Sequence, residues 1–190
     1  LGALFSFSVF LKERAALVAG FAVFCLSIFF FLGSREYYVG RDTANYLDFF
    51  YWVKSGGVGS GYDYLFETIV RVALSIYPSI YFVQGLMALL FSFLLGGAFM
   101  VSLRDCDYPL RRKYAFIFSI VLLFLSPIAF EMVANATRQG LAAPFVFLFY
   151  YFLWNKKFFA ALCLAVVAAL LHQSSIPFCL LGVLGWLRLK

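Results

Sequence analysis

Four short stretches hold most of the side chains that could do chemistry in a chain only 13% charged. They are "GRDTANYLDFF" with Arg41, Asp42 and Asn45, "YDYLFETIVRV" with Glu67 and Arg71, "EMVANATRQG" with Asn135, Arg138 and Gln139, and "LLHQSS" with His172 and Ser174. A carboxylate or imidazole can take a proton from a hydroxyl, and a guanidinium fork can hold phosphate oxygens bidentately. On that chemistry Asp42, Glu67 and His172 are candidate bases, and Arg41 and Arg138 candidate anion contacts. Arg138 is favoured, because Asn135 stands three residues before it and Gln139 four after Asn135, which makes one polar stripe on a helix. Plainer roles stand beside each. Asp42 suits a helix N-cap, and Glu67 with Arg71 suits an intrahelical ion pair. Arg138 suits a partner for Glu131 or an interfacial cation, and His172 suits a turn with Gln173, Ser174 and Ser175 before Pro177.

The elements that must position these residues are apolar helices. Hydrophobic residues make up 65% of the 190, mean hydropathy is +0.95, and runs such as 15–32 and 114–130 approach the roughly 20 residues that cross a bilayer as helix. The pattern predicts an all-α polytopic membrane protein. The net charge of +6 then reports topology, with no nucleic-acid partner. Basic residues gather at Lys12 and Arg14, at Arg104 with Arg111, Arg112 and Lys113, at Lys156 and Lys157, and at Arg188 and Lys190. Holding all of these in the cytoplasm predicts about six transmembrane helices, over 15–32, 80–103, 114–130, 138–154, 158–171 and 176–187. Segment 62–78 carries Glu67 and Arg71 and is left over. It reads as an interfacial or re-entrant helix outside, giving two short extracytoplasmic helices over 42–54 and 64–76. Cys25, Cys106, Cys163 and Cys179 form no metal-ligand spacing and read as small packing residues.

With this topology all four polar stretches face one compartment, which suggests a shared hydrated cavity. Their succession, "GRDTANYLDFF", "YDYLFETIVRV", "NATRQGLAAPFVF", the basic turn "NKK" and "LLHQSS", resembles the EpsG family of bacterial exopolysaccharide proteins. That family is related to Wzy-type polysaccharide polymerases within the GT-C class of membrane glycosyltransferases. The resemblance implies a GT-C-like fold in the bacterial cytoplasmic membrane. It implies transfer of a glycan from a polyprenyl-diphosphate carrier to another lipid-linked glycan, on the extracytoplasmic side. It makes Asp42 the first choice of base, because GT-C relatives carry an acid in the first outer loop. Tyr37, Tyr38, Tyr46 and Tyr51 are candidates for stacking on sugar rings, with the aromatic belt of the bilayer interface as the favoured role for most of them. Residues 1–190 are expected to form a single transmembrane domain, the amino-terminal part of a longer family architecture.

The partners expected are the polyprenyl-diphosphate-linked oligosaccharide, membrane lipid and other polysaccharide-export proteins. No cofactor is expected. Metal is not required on this reading, since no DxD pair occurs and arginines can neutralise the leaving diphosphate. A non-catalytic subunit or transporter that binds lipid-linked glycan is the alternative. A His-based acyltransferase ranks lower, because no acidic or second His residue accompanies His172 in its turn.

Overall fold

The computed structural model describes residues 18–31, 33–34, 43–57, 63–103, 131–132 and 137–188. Regular structure among the described residues is helical, with no strand. In chain order the helices are α1 (Val18–Phe31), α2 (Thr43–Lys54), α3 (Tyr64–Ile76), α4 (Ile80–Ser102), α5 (Thr137–Trp154), α6 (Phe158–Leu171) and α7 (Ser175–Arg188). The expected boundaries agree closely for these elements, the two short helices included. The expected helix over 114–130 lies outside the described residues.

Helix α3 forms because its apolar side chains recur at helical spacing. Phe66, Val70, Ala73 and Leu74 fall on one stripe and are buried, while Tyr64 and Val72 point away. That stripe packs against α2, α4 and α6. The core so made includes Phe50, Phe66, Met87 and Phe91, and is extended by Leu141 and Ala142 of α5 and Leu171 of α6. Helix α4 approaches the end of α1 very closely: a Cβ on Gly85 would meet the Phe29 carbonyl oxygen at 2.9 Å. A second core joins α5, α6 and α7 around Phe149, Leu153, Ala161 and Cys179. Of the described cysteines, Cys25 and Cys179 do pack inside, but Cys163 is exposed on the outer face of α6.

Short turns make α5, α6 and α7 run up, down and up. The α5 to α6 turn is a Schellman closure: Lys156 stands at φ 59°, its N–H donates to the Leu153 carbonyl, and the Lys157 N–H donates to that of Phe152. Gly56 closes α2 in the same manner at φ 89°. At the other end His172 caps α6 in extended conformation, and the Ser175 N–H donates to its carbonyl. One end of this unit therefore carries Arg138, His172 and Ser175. The opposite end carries Trp154, Lys156, Lys157 and Phe158, whose ring lies 5.0 Å from that of Trp186.

Among the described helices α4, with 23 residues, is the one both long and apolar enough to cross a membrane. The other described helices lie where expected but are too short or too polar to meet that condition. Turns at both ends hold α6 to 14 residues, about 21 Å at 1.5 Å per residue. Helix α7 has the same length, and α1 is likewise a shorter apolar helix. The outward faces of α6 and α7 are nonetheless apolar, with Phe159, Leu162, Phe178, Leu181 and Leu184 exposed.

Candidate functional site

The polar residues meet at the α5–α6–α7 end through a carboxylate that is not among the candidates, that of Asp63 in the stretch "YDYLFETIVRV". Asp63 precedes α3 with extended backbone (φ −61°, ψ 130°), the conformation of an N-cap. An Asp there ordinarily accepts from the backbone N–H groups of the first turn. Its side chain makes no such bond. It turns instead toward α5 and α6 and is 6% exposed. Arg138 Nη1 donates to Oδ2 at 3.1 Å, His172 Nδ1 lies 3.1 Å from that same oxygen, and the Gln173 N–H donates to Oδ1 at 3.1 Å.

Burying a carboxylate is expensive unless it is paired and hydrogen-bonded, and these contacts supply both conditions. The guanidinium and the backbone N–H both donate to the carboxylate, and the imidazole completes the set best by donating as well. The Nδ1–H form then leaves Nε2 as the atom able to accept a proton. Nε2 is covered and has no hydrogen-bond partner among the described residues. The imidazole, the guanidinium and the acid thus form one connected group drawn from the start of α3, from α5 and from the α6–α7 turn, with His172 14% and Arg138 27% exposed.

Chain geometry brings these groups together. The stripe of α3 packs on α6, which sets the start of α3 beside the α6–α7 turn. Helix α5 carries Arg138 in its first turn, and there a Cβ on Gly140 would meet the Met132 carbonyl oxygen at 2.3 Å. Only glycine permits that approach.

Glu67 and Arg71 form their own pair one turn further along α3, with Arg71 Nε donating to Glu67 Oε1 at 3.0 Å. Arg71 Nη2 also donates to the Gly57 carbonyl, which straps the end of α2 to α3. Tyr46 is buried in the core, its ring stacked 6.4 Å from Phe50 and set edge-on 5.9 Å from Phe66. Asn45, Gln139 and Ser174 are exposed. Gln139 adjoins Arg138 in the chain, and Ser174 shares the turn of His172. Arg41, Asp42 and Asn135 lie outside the described residues. Of the predicted site residues, then, Arg138 and His172 share one centre, and the acid that joins them comes from outside the predicted set. The one available signal for it was an Asp directly before an amphipathic helix, which reads as a cap. The His172 turn itself holds no acid, as expected; its carboxylate comes from 109 residues earlier in the chain.

A separate open groove of about 530 Å³ runs between the end of α1 and the α3–α4 junction, lined by Phe29, Phe30, Tyr77, Tyr81 and Phe82 among others. None of Asp63, Arg138 and His172 lines it, and Tyr77 and Asp63 stand at opposite ends of α3, about 20 Å apart.

Comparison with known proteins returns one family, the EpsG family, whose model matches residues 18–190. No curated protein and no solved structure matches the chain significantly.

Proposed function

The chain belongs to the EpsG family, and from that membership together with the Asp63 centre we propose that it is a membrane glycosyltransferase of polysaccharide biosynthesis. It transfers a glycan from a polyprenyl-diphosphate carrier to a second lipid-linked glycan, as a Wzy-like polymerase, on the outer side of the bacterial cytoplasmic membrane. The observation that carries the reading is the meeting of Arg138 and His172 on one buried carboxylate. Such a transfer needs a proton acceptor beside the acceptor hydroxyl and positive charge beside the departing diphosphate, and these two side chains are of the required kinds.

The same reading keeps a polytopic arrangement of about six spans in a single unit, with Lys156, Lys157 and Arg188 at the cytoplasmic boundary. Helix α6 reaches only about 21 Å of a hydrocarbon core of ~30 Å. On this orientation the Asp63 centre lies about 10 Å beneath the outer boundary, and the reading requires a wet recess that reaches it from outside. Buried ionic groups within apolar helices commonly line such wet cavities. Positive charge from arginine serves in place of a divalent cation.

The test is reconstitution. Purified protein in vesicles is supplied with polyprenyl-diphosphate-linked repeats, with and without chelator, and the products are separated by size. A ladder of longer glycans in both conditions is expected, and its loss in Arg138→Ala and in His172→Ala. A ladder that survives Arg138→Ala removes the mechanism. Retained substrate binding with no ladder from the unaltered chain, and no effect of His172→Ala on polymer formation in cells, supports the non-catalytic binding subunit instead.

A further inference from the structure

We infer that Asp63 is a positioning residue that fixes the imidazole of His172 in its Nδ1–H form, so that Nε2 is held as the proton acceptor of the site. The first half stands on geometry alone. Oδ2 of Asp63 is shared by Arg138 Nη1 and His172 Nδ1 at 3.1 Å each, and Oδ1 is occupied by the Gln173 N–H. With two donors already on a buried carboxylate, a lone pair on Nδ1 would face negative charge at hydrogen-bond distance. A proton on Nδ1 removes that repulsion and adds a bond. The ring is held from a second direction too, because the backbone of its own turn is pinned by the Gln173 N–H on the same carboxylate and by the Ser175 N–H on the His172 carbonyl. It has little freedom to turn over and exchange its nitrogens. Nε2 is left covered and without a hydrogen-bond partner among the described residues.

The second half rests on the glycosyl-transfer reading. As the acceptor oxygen attacks the anomeric carbon, its proton passes to Nε2 while the bond from that carbon to the diphosphate oxygen breaks. The diphosphate leaves with the electron pair. The imidazolium formed is stabilised by the Asp63 carboxylate and later returns its proton to water. Arg138 donates to the same oxygen of Asp63 and so completes its set of donors.

His172 is the single histidine of the chain, so labelling histidine with nitrogen-15 gives two ring resonances with no ambiguity. The experiment records the full chain in nanodiscs, in alkaline buffer. The expected result is a protonated Nδ1 and an unprotonated Nε2. A spectrum with the proton on Nε2 overturns the inference, and the unaltered protein suffices to decide it. Asp63→Asn is then expected to raise the Nε2–H population and to lower the turnover of ladder formation at least tenfold while KM changes less. Asp63→Glu is expected to restore part of the turnover. Equal tautomer populations in the unaltered chain and in Asp63→Asn would also overturn it. The two readings fail separately: no ladder with the proton on Nδ1 refutes glycosyl transfer alone, whereas a ladder with the proton on Nε2 refutes the positioning role alone.

Discussion

The two ends of the α5–α6–α7 unit bear charge in opposite ways. At one end Asp63, Arg138 and His172 are largely withdrawn from solvent and bonded across three elements distant in sequence. At the other, Lys156, Lys157 and Arg188 are exposed, beside Trp154 and Phe158, with Lys157 Nζ 5.7 Å over the Phe152 ring. The first arrangement needs tertiary structure to exist and repays it by holding chemical groups in register. The second is made by local backbone, the Schellman closure at Lys156, and leaves its cations free to meet a polar boundary. Charge that is buried and paired costs several kcal/mol when one partner is removed, whereas exposed charge costs little.

That contrast is sharpest at Asp63. Asp63→Ala withdraws the acceptor from three donors, and a loss of roughly 3 kcal/mol or more is expected, with loss of polymer formation; thermal unfolding in detergent checks the first and the ladder assay the second. If the variant unfolds like the parent, the centre is not the anchored end. Arg138→Lys comes next. It keeps the charge but loses the planar fork, so a loss of about 1–2 kcal/mol and a partial ladder are expected, measured in the same pair of assays. Gly140→Ala drives a Cβ onto the Met132 carbonyl and must displace the first turn of α5; a cost of about 1–3 kcal/mol is expected, with a matching fall in turnover.

The basic end should respond weakly. Lys156→Gly relieves a left-handed backbone conformation and is expected to stabilise by up to about 1 kcal/mol. Exchange of both Lys156 and Lys157 for Glu should leave the unfolding midpoint nearly unchanged while disturbing orientation, read by the accessibility of Cys163-proximal labels placed on the turn. A large destabilisation from either change would erase the distinction between the two ends.

Helix extents were legible along the chain because apolar spacing, Tyr77-Pro78 and the "NKK" and "HQSS" turns are local signals, and the boundaries of α3, α4, α5, α6 and α7 follow them. Arg138 and His172 were legible as chemistry for the same reason: a guanidinium and the single imidazole stand out against apolar neighbours. Tyr46 shows the limit, since a tyrosine on an amphipathic helix reads alike whether it faces a sugar or, as here, the Phe50 and Phe66 rings. Asp63 shows it more sharply. Nothing near Asp63 in sequence indicates that its carboxylate leaves the helix start it precedes.

By itself the sequence determined composition, helix positions, the sites of charge and the family, because each depends on residue types within a few turns of one another or on their order. Only the tertiary structure decided which charges meet. The packing of the α3 stripe on α6 carries Asp63 to a turn 109 residues away, and a buried carboxylate there must gather every donor within reach.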